Sequence, residues 1–292
     1  MKFNNDDMVS IIVPCFNSGK TLNKTIKSIK NQTWLKKEII LVNDGSNDNN
    51  TLSILNQFKD DKFIKLIEQK NKGLASARNT GVRNAKGNYL FFLDADDWIE
   101  SNTIEEMYLS LKINNQYAYI FSDCFLEGEI RGIRKKVFNL YEQLFINQIP
   151  YSIFIPRKIF VKNGFYDEDM YHGYEDWELN LRLASKNLYG KRLDKALFHY
   201  NVSTSGMLIA KSIRKHILLW KYIKNKNKSL YEFKSVFKIF FQWGFRKTNY
   251  PLIFVLIWSF MLSYIPEFIV LYTFLTIRKT KFLMKKFSFL NK

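Results

Sequence analysis

Cysteine is nearly absent: Cys15 and Cys124 are the only two in 292 residues. Two thiols 109 positions apart are too few for a disulfide framework or a zinc site of their own. A chain living in reducing, cytosolic conditions is the simpler expectation. The opening "MKFNNDDMVS" has no apolar stretch of the kind a secretory signal needs. No internal repeat is visible, and the low-complexity content is limited to "KNKNKS" at 224–229. Acid is scarce in one place only. Residues 211–292 hold 17 of the 45 Lys/Arg but just Glu232 and Glu267, a net of +15. The first 210 residues carry 28 basic and 25 acidic groups, a net of +3 out of the formal +18. The basicity therefore belongs to the tail. It is mixed there with bulky aliphatic and aromatic residues, which argues against a polar nucleic-acid stripe.

What is present is hydrophobic enough to fold: 47% of residues are hydrophobic and 16% aromatic, which excludes a disordered chain. Through residue 124 the apolar pattern alternates between strand and helix lengths. "VSIIVP" (9–14), "EIILVND" (38–44), "FIKLIE" (63–68), "YLFFLD" (89–94) and "AYIFSD" (118–123) read as strands. Helical spacing separates them, with Leu22, Ile26 and Ile29 on one face of the first helix. Alternating units of this kind predict a mainly parallel, Rossmann-like sheet flanked by helices. Ligands of such sheets sit outside the carboxyl ends of the strands. Those ends carry Pro14 and Asn17, Asn43-Asp44-Gly45-Ser46, Glu68-Gln69, "DADD" at 94–97, and Asp123.

The "DADD" tetrad crowds three carboxylates into four positions, and desolvating even one costs several kcal/mol unless it is paired or metal-bound (roughly,). In an extended segment residues i and i+2 share a face, so Asp94 and Asp96 can approach one hard divalent ion such as Mn²⁺ or Mg²⁺. Turn and helix-capping acids are the alternative, and Asp97 has no assigned role. "NDGS" likewise reads as an Asp-Gly turn or as a ligand-contacting Asp44. "NKGLASARNTG" (71–81) matches neither the dinucleotide fingerprint nor the phosphate loop. Further on, "YEQLFINQ" is helix-like, and "YEDWELNLRLASKN" (174–187) begins a helix with Glu175 and Asp176 in its first turn, where the helix dipole favours acids.

Four blocks in order, "SIIVPCFNSGKTLNKTIKSIKNQTW", "EIILVNDGSNDNN", "NKGLASARNTGVRNAKGNYLFFLDADDW" and "GYEDWELNLRL", resemble the family-2 glycosyltransferases of GT-A fold over about residues 8–205. The resemblance implies an enzyme moving a sugar from a nucleotide-diphosphate donor, usually UDP-linked, to an acceptor hydroxyl with inversion. It implies that Pro14 and Asn17 line the nucleotide pocket, that Asp44 meets the base and that Arg78 helps hold the nucleotide. Asp94 then faces ribose or metal, Asp96 ligates Mn²⁺ or Mg²⁺, and Asp176, beside Glu175, is the general base. "HYNVSTSG" (199–206), led by His199, resembles the segment that closes over the diphosphate. Trp98, Tyr171, Tyr174 and Trp177 are aromatics that either stack on an acceptor sugar or pack in the core.

The expected organisation is a catalytic domain over 1–206, with a nucleotide-sugar half to about 124 and an acceptor half over 125–206, then a helical extension over 207–292. In "YEFKSVFKIFFQWGFRK" the side chains Phe233, Phe237, Phe240 and Phe241 share a helical face flanked by lysines, which suits an anionic membrane surface. The apolar run 251–277 is interrupted at Pro266-Glu267, so insertion from the cytoplasmic face of a cell membrane is expected in preference to a span. The acceptor would then be a lipid-linked or cell-surface glycan. A non-catalytic nucleotide-sugar-binding scaffold is the alternative, and a sugar nucleotidyltransferase a weaker one. The scaffold should lack Asp96 or Asp176; the nucleotidyltransferase should have a Gly-rich basic loop after the first strand.

Overall fold

A computed structural model describes residues 7–203 and 215–246, together with seven residues between 251 and 269. Strand β1 (Val9–Cys15) is buried along its whole length, as a central strand must be when both faces are covered by helices. Around it lie β2 (Lys37–Asp44), β3 (Ile64–Gln69) and β4 (Tyr89–Phe92), all parallel, in the order β3-β2-β1-β4. The crossovers are α1 (Gly19–Lys30), α2 (Asn49–Gln57) and α3 (Leu74–Arg83). Leu22, Ile26 and Ile29 are buried on α1, as their spacing predicts. On α3, Gly81 lets helix and sheet touch: a Cβ there would lie 2.5 Å from Ile12 Cγ2.

The sheet then changes character. After β5 (Trp98–Ile99) and α4 (Thr103–Ile113) come β6 (Tyr119–Gly128), β7 (Gly132–Arg134), α5 (Leu140–Gln143), β8 (Ile153–Pro156), α6 (Arg157–Lys162), α7 (Glu175–Ala184) and β9 (Gly190–Val202). Strand β8 inserts antiparallel between β4 and β6, β9 runs parallel to β6, and β5 closes the edge antiparallel to β9. The expected parallel sheet thus holds for the first four strands, and the second half is mixed. Short connections explain part of this, because a parallel crossover needs about a dozen residues and the β6–β7 turn has three.

The expected helix over "YEQLFINQ" shortens to α5. Its continuation is diverted by side chains: the Gln143 carbonyl accepts from Trp177 Nε1 at 2.7 Å, and the Leu144 carbonyl accepts from Trp220 Nε1 and the Tyr231 hydroxyl. Two of these captors belong to the basic extension. There α8 (His216–Lys226), α9 (Lys228–Tyr231), α10 (Phe233–Ile239) and a π-helical turn (Phe240–Gly244) bury Trp220, Ile223, Leu230 and Ile239. No helix among the described residues is long and apolar enough to cross a membrane. Most of the run 251–277, and residues 204–206 of "HYNVSTSG", lie outside the described residues.

Candidate active site

The carboxyl edge of the parallel strands is where the singled-out residues converge. Pro14 is buried within β1 in register with Val42. Asn17 follows in a left-handed conformation (φ 52°), and its Oδ1 accepts from the backbone N–H groups of Asn47 and Asp48. It therefore ties the loop after β1 to the loop after β2. Asp44, at the end of β2, accepts from Gln69 Nε2 (2.7 Å), Lys72 N (2.8 Å) and Gly73 N (2.8 Å). That carboxylate closes the turn between β3 and α3. Gly73 needs to be glycine there: φ is +90°, and a Cβ would fall 2.6 Å from the Tyr171 ring.

The "DADD" segment is a turn, not an extended strand, with Asp97 N donating to the Asp94 carbonyl at 3.1 Å. The expected alternation of faces is thereby replaced by a tighter arrangement that gathers Asp94, Asp96 and Asp97, each with a carboxylate oxygen within 4.8 Å of the others. Their environments differ. Asp97 is buried, takes a short hydrogen bond from the Tyr151 hydroxyl and accepts from Asn201 N at 2.8 Å, so it anchors the turn to β9. Burial, then the charges of Asp96 and Asp94, push its carboxyl well above the usual range. Asp94 is half-buried and accepts from Arg78 Nη2 at 2.7 Å. Asp96 is engaged by no other described residue, and burial, then the neighbouring Asp94, raise its carboxyl from 3.8 to about 6. A hard cation fits this set, because Asp96 and the remaining Asp94 oxygen are under-compensated oxygen donors within 4.8 Å of each other.

Arg78 is the finding that alters the expected picture. The resemblance placed it on the nucleotide, but it is 0% exposed and lies inside the protein. One nitrogen holds Asp94 and another makes a short hydrogen bond to Glu175 Oε1. The rings of Tyr151 and Tyr166 lie 4.8 and 5.4 Å from its Cζ, near enough for cation–π attraction. Glu175 and Asp176 open α7 as expected, after Gly173 and a left-handed Tyr174. Glu175 is 4% exposed and committed to Arg78. Asp176 is more open, held by Asn147 Nδ2 at 3.0 Å and by Trp177 N. Burial raises both carboxyls against the pull of Arg78. A single guanidinium thus joins the acid cluster after β4 to the acid pair on α7.

His199 also differs from expectation. It is stacked between Trp98 (ring centroids 5.0 Å) and Phe125 (4.7 Å), and its two ring nitrogens are hydrogen-bonded to Glu100 and Glu127, so both are already engaged. Trp177 is a core residue with Nε1 bonded, whereas Tyr171 is exposed beside Gly73. Three contributors were missed by sequence reasoning: Asn147, Tyr151 and Asn201. Asn147 and Tyr151 are isolated polar residues with no motif around them, and Asn201, although it lies within "HYNVSTSG", acts through its backbone N–H, which no side-chain pattern announces. His216, from the extension, packs on Tyr174 and Trp177, and burial lowers its imidazole to about 4.

Residues 10–169 match the family model described as Glycosyl transferase family 2. The chain is 37% identical over 156 residues, 49% of its length and 22% of the relative's, to glycosyltransferase GlyA of Streptococcus pneumoniae. It is 40% identical over 134 residues, 44% of its length and 40% of the relative's, to the poly(ribitol-phosphate) beta-N-acetylglucosaminyltransferase TarP of Staphylococcus aureus. The chain thus spans less than half the length of these relatives. Among solved structures, S. aureus TarS 1–349 in complex with UDP-GlcNAc superposes with a TM-score of 0.62 at 19% identity, covering 74% of this chain and 65% of that one. That likeness bears out the GT-A fold.

Proposed function

The chain belongs to glycosyl transferase family 2, and from that premise we propose that it transfers a sugar from a UDP-linked donor to an acceptor hydroxyl of a lipid-linked or cell-surface glycan, with inversion. The observation that carries the reading is the Arg78 bridge: it brings Asp94, of the acid cluster that also holds Asp96, and Glu175, of the helix-borne acid pair 81 residues away in sequence, to two nitrogens of one guanidinium. Two opposed carboxylate sites suit a displacement in which one end handles a leaving diphosphate and the other a nucleophile's proton. The named relatives and the UDP-GlcNAc complex of TarS support the donor class.

In this scheme the acceptor oxygen attacks the anomeric carbon, the bond to the diphosphate oxygen breaks, and the acceptor proton passes to Asp176. Asp176 is assigned the base role over Glu175 because it is the more open of the two, while Glu175 is already bonded to Arg78. Arg78 becomes a positioning residue that fixes Glu175 and Asp94 at once. Asp94 and Asp96 would hold Mn²⁺ or Mg²⁺, which when bound supplies positive charge against the departing diphosphate. Asp97, Tyr151 and Asn201 keep the turn that presents those two acids. Asn17 and Asp44 shape the rim on which the nucleoside would rest.

The test is a panel of UDP-, GDP- and TDP-sugars, each measured for thermal stabilisation and slow hydrolysis with and without Mn²⁺. Metal-dependent stabilisation by one or more UDP-sugars is expected. Stabilisation by none of the nucleotide sugars, in the presence of metal, would overturn the proposal.

A further inference from the structure

The extension carries a feature that the catalytic reading does not use. Phe233, Phe237, Phe241 and Phe245 recur every four residues along α10, the π turn and the residue that caps it, and they are 76%, 55%, 55% and 63% exposed. Successive rings touch, with centroids 6.1, 4.6 and 6.0 Å apart. An α-helix has about 3.6 residues per turn, so a row at every fourth residue drifts by about 40° per rung. The wider π turn at Phe240–Gly244 undershoots where the α turn overshoots and draws the row back into line. Phe240, expected on this face, instead turns inward onto Tyr141 at 5.2 Å.

The opposite side of the same helix is firmly seated. Ile239 and Gly244 are buried, Trp243 packs on Phe138 and Tyr189, and its carbonyl accepts from Asn139 Nδ2 at 2.8 Å. Asn139 caps α5, whose end leads to Asn147 and thence to Asp176. The row is therefore presented outward from a rigid base that also supports the acid pair.

We propose that this face docks on an anionic lipid bilayer, with the four phenylalanine rings entering the headgroup–acyl boundary. Charge complementarity selects that occupant. Between 228 and 246 the basic residues Lys228, Lys234, Lys238 and Arg246 are exposed, and Glu232 is the one acid. Aromatic rings flanked by lysine and arginine are the make-up of helices that lie in an anionic interface. A second copy of the chain fits less well. Taking ~200 Å² per phenylalanine, the exposed ring area is on the order of 500 Å², below the ~800 Å² per partner of a stable dimer. It would also bring like charges together. The inference is independent of which sugar is transferred.

The test is flotation of the full chain with phosphatidylcholine vesicles, with and without about 30% phosphatidylglycerol, comparing wild type with the double variant Phe237→Ser/Phe241→Ser. Thermal unfolding and UDP-sugar binding of both proteins provide the folding control. Wild type should float with the anionic vesicles and at least about tenfold more weakly with neutral ones. The folded double variant should lose that binding about tenfold or more, and Lys234→Glu/Lys238→Glu should lose the anionic preference. Equal flotation of wild type and a folded double variant would overturn the proposal and place any lipid contact elsewhere. So would a wild-type dimer that the double variant dissolves without vesicle binding. A large drop in unfolding temperature with vesicle binding unchanged would show the face to be covered by the chain itself, and would also refute it.

Discussion

Replacing Asp96 by asparagine should stabilise the metal-free protein while destroying its metal-dependent donor binding. The carboxyl of Asp96 is raised from 3.8 to about 6, first by burial and then by Asp94. A raised acid is a cost to the fold at neutral pH: stability is fully present below the unfolded value and is lost as pH climbs through about 6. Two pK units correspond to roughly 3 kcal/mol, and solvent at a half-buried site reduces this to an expected ~1–3 kcal/mol. For a chain of this size that is a rise of roughly 2–4 °C in unfolding temperature per kcal/mol. The assay is thermal or urea unfolding of both proteins in chelator, from pH 7.5 to pH 4. The Asp96→Asn variant should show its advantage at pH 7.5, lose it through about pH 6 and have none near pH 4. Saturating Mn²⁺ with UDP should reverse the order, since only wild type gains binding free energy. A variant no more stable than wild type at pH 7.5 would refute the crowding argument on which the metal assignment rests.

Two other perturbations probe the framework around that cluster. Arg78→Met should destabilise by ~3–5 kcal/mol by stranding two carboxylates. Arg78→Lys should recover part of this but not the donor turnover, because an ammonium lacks the planar fork that spans both partners; urea midpoints and hydrolysis rates separate the two effects, and indifference to both changes would contradict the bridge. Tyr151→Phe removes a hydroxyl placed between Asp97 and the Asp94 N–H, at a cost of ~1–3 kcal/mol in unfolding free energy, measurable from the urea midpoint.

The nucleotide half was legible because its signals are local. Buried parallel strands read as unbroken apolar runs, and the acids at their ends stand out against them. The pair Asp94/Asp96 was identifiable for the same reason, whereas Glu175 and Asp176 read locally only as first-turn helix acids, and the base role of Asp176 came from the family resemblance. What the sequence concealed depends on distant partners. Nothing in "ASARN" says that Arg78 points inward to Glu175, 97 residues away. Tyr151 and Asn147 act through hydrogen bonds to acids far away in the chain, from a loop whose helical pattern is overridden by Trp177, Trp220 and Tyr231. Phe240 and Phe245 exchange places on the exposed row because a π turn, not an α turn, follows Ile239.

The most direct test of the central claim is the comparison of Asp176→Asn with wild type in single-turnover transfer from the UDP-sugar that the donor panel identifies. Donor binding should stay within about twofold of wild type while transfer slows by ~10²–10⁴, the usual contribution of a general base. Transfer at the wild-type rate by the Asp176→Asn variant would contradict it.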